Sequence, residues 1–184
     1  MSRRISRRQF FRLMPTAIRS SNKSPDNPGD HPVIRPPGAL KDPQTFLESC
    51  HRCKACSAAC PYNVIGHLGP AAGEEEGTPF INPEENPCRW CPTMDCINAC
   101  PSGALRFNEN GTVGPIAKAE LNLDACLTKQ GILCDDCVVA CPTFVNAIKL
   151  CDHQPRLDSQ KCVGCGLCSY YCPALPVAIR NSST

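Results

Sequence analysis

Every fold open to this chain must accommodate four runs of cysteine, each ending, after a gap of three residues from its third member, on a Cys-Pro pair. The run Cys162, Cys165, Cys168, Cys172-Pro173 has gaps of two, two and three residues, and so does Cys50, Cys53, Cys56, Cys60-Pro61. Cys88, Cys91, Cys96, Cys100-Pro101 widens its second gap to four, and Cys126, Cys134, Cys137, Cys141-Pro142 widens its first to seven. The closing proline has no N–H and a fixed φ, so the chain turns sharply into the next segment. Leu, Ile, Val and Phe total 37 of 184 residues, near the floor for an ordinary packed core. With 19 prolines and 12 glycines, loops are plentiful, and the 17 cysteines must supply much of the cohesion.

Three chemistries use cysteine this densely. Disulfides need an oxidising compartment; seventeen is odd, and several of these cysteines sit too close to pair with a neighbour. Structural zinc takes two Cys-x2-Cys knuckles across a longer loop, whereas here a third cysteine follows at once. Three cysteines at such spacing, with a fourth before proline serving a neighbouring cluster, form the ligand run of bacterial-type [4Fe–4S] proteins. Thiolates are soft donors suited to that iron. Four runs of four provide sixteen ligands for four [4Fe–4S] clusters, leaving Cys151 as the spare. It lies on an expected strand at 147–151 and is expected as a small buried hydrophobe. The competing assignment makes Cys151 a ligand in place of Cys126, whose run is the least regular. Nested pairing (first with fourth, second with third) and sequential pairing both fit the 27, 25 and 20 intervening residues; of the two, nested is expected.

Charge divides the chain. Residues 1–23 hold seven Lys/Arg and no acid, while the remainder has 12 Lys/Arg against 17 Asp/Glu. Bound clusters add negative charge, so the loaded body is acidic with a basic arm. Ser6-Arg7-Arg8-Gln9-Phe10-Phe11 is similar to a twin-arginine export motif, but Arg12, Pro15 and Arg19 interrupt the apolar stretch a leader requires. A retained docking arm is therefore expected ahead of an exported leader or a plain basic tail. Residues 24–45, with prolines at 25, 28, 32, 36, 37 and 43, are expected as an extended linker, and 46–184 as the four-cluster domain. With ten aromatics and no basic groove, nucleic-acid binding is excluded. No segment reaches the ~20 apolar residues that span a bilayer.

Within the body, 45–49 is expected as a helical turn and 120–124, which alternates apolar and polar, as a strand. Ala104-Leu105, Ala147-Ile148 and Ala178-Ile179 recur as strand seeds, and Glu74-Glu75-Glu76 is expected as a solvated loop. The fold class is α+β: tandem bacterial-type two-cluster ferredoxin-like units, loop-rich and cluster-stabilised. A Rieske centre needs two histidines, so His51 is expected as an exposed or hydrogen-bonding neighbour, and Trp90 as packing. No phosphate-binding glycine loop occurs, and no catalytic residues are expected.

Arg35-Pro36-Pro37-Gly38-Ala39, Phe46-Leu47 and Cys50-His51-Arg52-Cys53 resemble the ferredoxin-type accessory proteins of periplasmic nitrate reductase and methylamine utilisation, NapF, NapG and MauM. So do Gly77-Thr78-Pro79, Pro87-Cys88 and Ala99-Cys100-Pro101-Ser102-Gly103-Ala104-Leu105. The likeness spans about residues 33–180, and the 2,4,3 and 7,2,3 spacings resemble the NapG/MauM branch. That branch implies four [4Fe–4S] clusters on the sixteen cysteines, twin-arginine export and a relay from a quinol-oxidising membrane partner. The short basic start resembles NapF instead, which implies a cytoplasmic location and a part in maturing a molybdenum-containing catalytic subunit. Three functions follow as expectations. The first is electron transfer to a reductase of the nitrate reductase type, in the cytoplasm or, by twin-arginine export, the periplasm. The second is an assembly factor that docks its client through the basic arm. The third is the iron–sulfur subunit of a larger oxidoreductase.

Overall fold

The structure is a computed structural model that describes residues 33–183. The basic arm and residues 24–32 lie outside the described residues. From Val33 the proline-rich stretch is not a free linker but a strap packed on the body. Ile34 bridges to Ile81, and the rings of Pro36 and Pro37 are fully buried; proline suits this because it brings no N–H that burial would orphan. Gly38 takes φ 78°, and a Cβ there would stand 2.7 Å from both the Arg106 carbonyl and Ile97 Cδ1. Arg35 clamps the strap: its guanidinium donates to Thr78 Oγ1 at 2.7 Å and to the Pro79 carbonyl at 2.9 Å. It also pairs with Glu75 at 3.1 Å and lies 4.8 Å from the Phe46 ring centroid. Glu75 is thereby half-buried rather than part of a solvated loop.

Helix α1 (Pro43–Ser49) starts two residues before the expected turn. Pro43 opens it, and the Asp42 carboxylate accepts the Thr45 N–H at 2.7 Å, a standard N-cap. It buries Phe46 and delivers the chain to Cys50.

Two units of parallel design follow. In the first, α2 (Ala55–Ala59), β1 (Ile65–His67), a 3-10 turn (Pro70–Glu75), β2 (Pro79–Ile81) and α3 (Asp95–Asn98) come in order. β1 and β2 pair antiparallel, Ile65 opposite Ile81. Outside them Leu40 N–H donates to the Ala104 carbonyl at 3.1 Å and Arg106 N–H to the Gly38 carbonyl at 2.8 Å. The strand seed at 104–105 thus forms a bridge and not a strand.

The second unit contains β3 (Ala117–Leu121), 3-10 turns (Leu123–Ala125 and Leu127–Gln130), α4 (Asp136–Ala140), β4 (Ile148–Cys151), β5 (Gln154–Leu157), α5 (Leu167–Tyr170) and β6 (Ile179–Ser183). Its inner hairpin β4–β5 turns at Asp152 and His153, both at positive φ, as a two-residue hairpin turn demands. Its outer pair is β3–β6, with Leu121 opposite Ile179. Strand β3 lies earlier than expected, because Asn122 stops it: its side chain accepts the Asp124 N–H at 3.0 Å and starts a 3-10 turn. The alternation survives, with Ala117 and Ala119 buried and Lys118 and Glu120 exposed.

Candidate metal centres

The third cysteine of each motif sits in the first turn of a short helix: Cys56 on α2, Cys96 on α3, Cys137 on α4 and Cys168 on α5. All four are buried. The residue before three of these helices is left-handed, Lys54 at φ 62°, Met94 at φ 45° and Gly166 at φ 88°. That reversal turns the loop back so that the first two cysteines face the third. The fourth cysteine follows each helix at its C-terminal end.

Three thiol sets surround small cavities; the two in the second unit are lined otherwise mainly by apolar residues, and the one in the first unit also by His51, Arg52, Lys54, His67 and Ser102. Cys50, Cys53 and Cys56 share one with Cys100; Cys126, Cys134 and Cys137 share one with Cys172; Cys162, Cys165 and Cys168 share one with Cys141. In the remaining set, built on the second motif, Cys96 lies within electrostatic reach of Cys91 and Cys60, and Cys88 within reach of Cys96 and Cys91. Every set therefore takes three thiols from one motif and one from another. The nested order is overturned: the first motif exchanges with the second, and the third with the fourth. The cause is local. Each inner hairpin folds back between consecutive motifs while an outer pairing, the Ala39–Leu105 bridge in the first unit and β3–β6 in the second, closes the unit, so α2 packs on α3 and α4 on α5.

Cys126 belongs to its set, despite the seven-residue gap, because the 3-10 turn Leu127–Gln130 and the left-handed Gly131 take up the extra length. Cys151 is not buried as expected; it is exposed at the tip of the β4–β5 hairpin, whose strand β4 is covered only at Ile148. His51 is exposed, and Trp90 is buried in the first core. A cavity of about 1030 Å³ lies between the strap and residues 106–116, and no cysteine lines it.

Burial controls the thiols. It pushes Cys56 and Cys137 up to about 11 and Cys88, Cys96 and Cys168 up to about 12. Such groups stay protonated at neutral pH unless a metal takes them as thiolates. At Cys100 burial also opposes ionisation, but hydrogen bonds from Leu105 N–H at 3.4 Å and from Ser102 carry the thiol below its ordinary value. Ala147 N–H reaches Cys141 Sγ at 3.3 Å and Trp90 N–H reaches Cys88 Sγ at 3.4 Å. Among the described residues no three His, Cys, Asp or Glu side chains converge as they would on a single ion. Four soft donors spread around a cavity fit an iron–sulfur cubane instead.

Known proteins point the same way. Residues 49–104 and 87–145 match the family described as 4Fe-4S dicluster domain, and residues 152–174 match 4Fe-4S binding domain. The chain is 36% identical over 162 residues to the methylamine utilization ferredoxin-type protein MauM of Methylobacillus flagellatus, covering 80% of this chain and 67% of that protein. It belongs to the MauM, NapG and NapF family of ferredoxin-type proteins. Ferredoxin-type protein NapG of Haemophilus influenzae is 36% identical over 80% of this chain and 57% of its own length. Ferredoxin-type protein NapF of Escherichia coli is 34% identical over 76% of this chain and 80% of its own. As in this family generally, the chain is an iron–sulfur electron-transfer protein that carries [4Fe–4S] clusters. No helix among the described residues is long and apolar enough to cross a membrane.

The donors to sulfur escaped the sequence reading. Leu105 and Ala147 donate through backbone N–H groups, which no side chain announces; the available signal was the recurrence of Ala104-Leu105 and Ala147-Ile148 shortly after Cys100 and Cys141.

Proposed function

We propose that this chain holds four [4Fe–4S] clusters on sixteen cysteines and serves as an electron carrier to a reductase of the nitrate reductase type. The four sets are Cys50, Cys53, Cys56, Cys100; Cys88, Cys91, Cys96, Cys60; Cys126, Cys134, Cys137, Cys172; and Cys162, Cys165, Cys168, Cys141. Each half is a ferredoxin-like α+β unit. The observation that carries this reading is the regular exchange of fourth cysteines within each half. Bound clusters supply one-electron redox chemistry, and their potentials respond to hydrogen bonding at sulfur and to exposure. The chain's own part is to bury the third thiol of each set and to aim Leu105, Ala147 and Trp90 N–H groups at sulfur. These donors favour the more negative, reduced state, so they raise the potential.

The carrier works in the cytoplasm, its basic arm retained; export by the twin-arginine route is the competing location. Fractionation of tagged cells decides between them, since signal confined to the periplasm excludes the cytoplasmic reading. Anaerobic purification tests the clusters: brown protein with about four irons for every four cysteines assigned is expected, and stable protein containing zinc or no metal excludes the proposal.

A second reading is favoured by residues 1–23, with seven Lys/Arg and no acid, together with the likeness to NapF. Here the chain is an assembly factor that docks a molybdoenzyme client through the arm. Deleting residues 1–20 separates the two: an assembly factor loses client capture, whereas an electron carrier keeps reducible clusters and its reductase.

A further inference from the structure

The first unit meets the second through the loops of their second and fourth motifs. Cys88 N–H donates to the Cys165 carbonyl at 3.1 Å. Gly166, next in the chain, lies so close to the first unit that a Cβ on it would stand 2.4 Å from Pro83 Cβ and 3.5 Å from Pro87 Cβ. Arg89 Nη1 donates to the Tyr171 hydroxyl at 3.5 Å, and Cys165 and Leu167 are buried in the same core as Cys88 and Trp90. Within each unit, the exchange of fourth cysteines already puts the first set beside the second and the third beside the fourth.

We propose that the four ligand sets form one unbranched file in the order first, second, fourth, third, joined across the units at Cys88 and Cys165. Sets one and three are its ends, and sets two and four its interior. This rests on the four-cluster reading and goes beyond it, because neither motif order nor pairing within units determines how the units join. Exposure separates the two ends from the fourth motif's loop. His51 to Lys54, Cys53 among them, are all exposed at one end; Ile132, Leu133, Asp135 and Asp136 are exposed at the other. The interior loop Gly164 to Cys168 is buried throughout. The ends differ in chemistry, Arg52 and Lys54 against Leu133, Asp135 and Asp136, so they suit two different one-electron carrier proteins.

The test is magnetic coupling in the anaerobically purified, fully reduced chain, read by electron paramagnetic resonance. Reduced [4Fe–4S] clusters are paramagnetic, and close neighbours broaden one another's signals. Cys53→Ala, Cys91→Ala, Cys134→Ala and Cys162→Ala each remove one set, checked by loss of about a quarter of the iron. In Cys91→Ala a sharp, uncoupled signal from the isolated first cluster is expected, and in Cys162→Ala one from the isolated third. Cys53→Ala and Cys134→Ala leave three clusters in file and show no isolated signal. An isolated signal in either of these two, or in neither of the first two, overturns the order. Should a variant lose more than one cluster, the unsubstituted chain is read with a soluble gadolinium chelate. Two of four clusters relaxed strongly and two spared is then expected, and equal relaxation of all four overturns the proposal. Absence of any cluster signal in the unsubstituted chain defeats the four-cluster reading itself, a separate result.

Discussion

Lys54 and Arg52 hold φ of 62° and 53° at loop positions where the fourth motif has Gly166 and Gly164. A side chain in that region costs about 1–2 kcal/mol, part of which glycine gives back as chain entropy. Lys54→Gly should therefore stabilise the loaded protein by about 0.5–1 kcal/mol, measured as slower loss of visible absorbance on heating; an unchanged or faster loss refutes the strain. Arg35 is the opposite case. Burial lowers its pKa, with Glu75 working against that effect, and its removal strips the fully buried Thr78 hydroxyl of the donor it accepts from and Glu75 of its ion pair. Arg35→Ala should cost about 2–3 kcal/mol in denaturant unfolding. Cys151→Ser, at an exposed hairpin tip, should stay within about 0.5 kcal/mol and keep full iron content, whereas Cys126→Ser should lose a cluster.

Elements here are too short to be stable alone: among the described residues the longest helix has seven residues and each sheet two strands, well under the length at which an isolated helix or hairpin persists. Their role is to present thiols, and contact between loop and strand decides the geometry. Gly164 shows how closely. It sits at φ 71°, and a Cβ there would stand 2.1 Å from the Ala117 carbonyl oxygen, so the fourth motif's loop lies directly on β3. Gly111, at φ 69°, has nothing within 4 Å. Gly164→Ala should cost at least about 2–3 kcal/mol and release cluster iron, whereas Gly111→Ala should cost only about 1 kcal/mol from backbone conformation alone. Parallel melts of the two variants check this, and equal losses would show that the contact with β3 is unimportant.

For the molecule as a whole, pH acts with opposite sign on the empty and loaded states. In the iron-free fold the buried thiols of Cys56, Cys88, Cys96, Cys137 and Cys168 lie at about 11–12, above the usual 9. Raised values stabilise that fold below pH 9, and the benefit is lost as pH rises through 9 to 12. Loading requires thiolates, so it releases protons, and the loaded protein should eject iron faster as pH falls from neutrality. Stopped-flow bleaching against pH measures this, and a rate independent of pH would contradict it. Much of this design was legible in the chain itself. Cysteine spacing and the closing prolines carry the donor chemistry, because ligand reach is a local matter of a few residues. Cys151 is set aside because it falls on an expected strand outside any motif loop, whereas irregular spacing counts against Cys126; how the turn at Leu127–Gln130 and Gly131 brings Cys126 to the cavity had to be seen. Pairing was not legible, since intervals of 20 to 27 residues close equally well in either order, and only the hairpins and outer pairings choose between them. Nor did the sequence reveal that its proline-rich strap is core, or that Cys88 meets Cys165. Such contacts arise from how two finished units pack, and no periodicity along one chain encodes that fit.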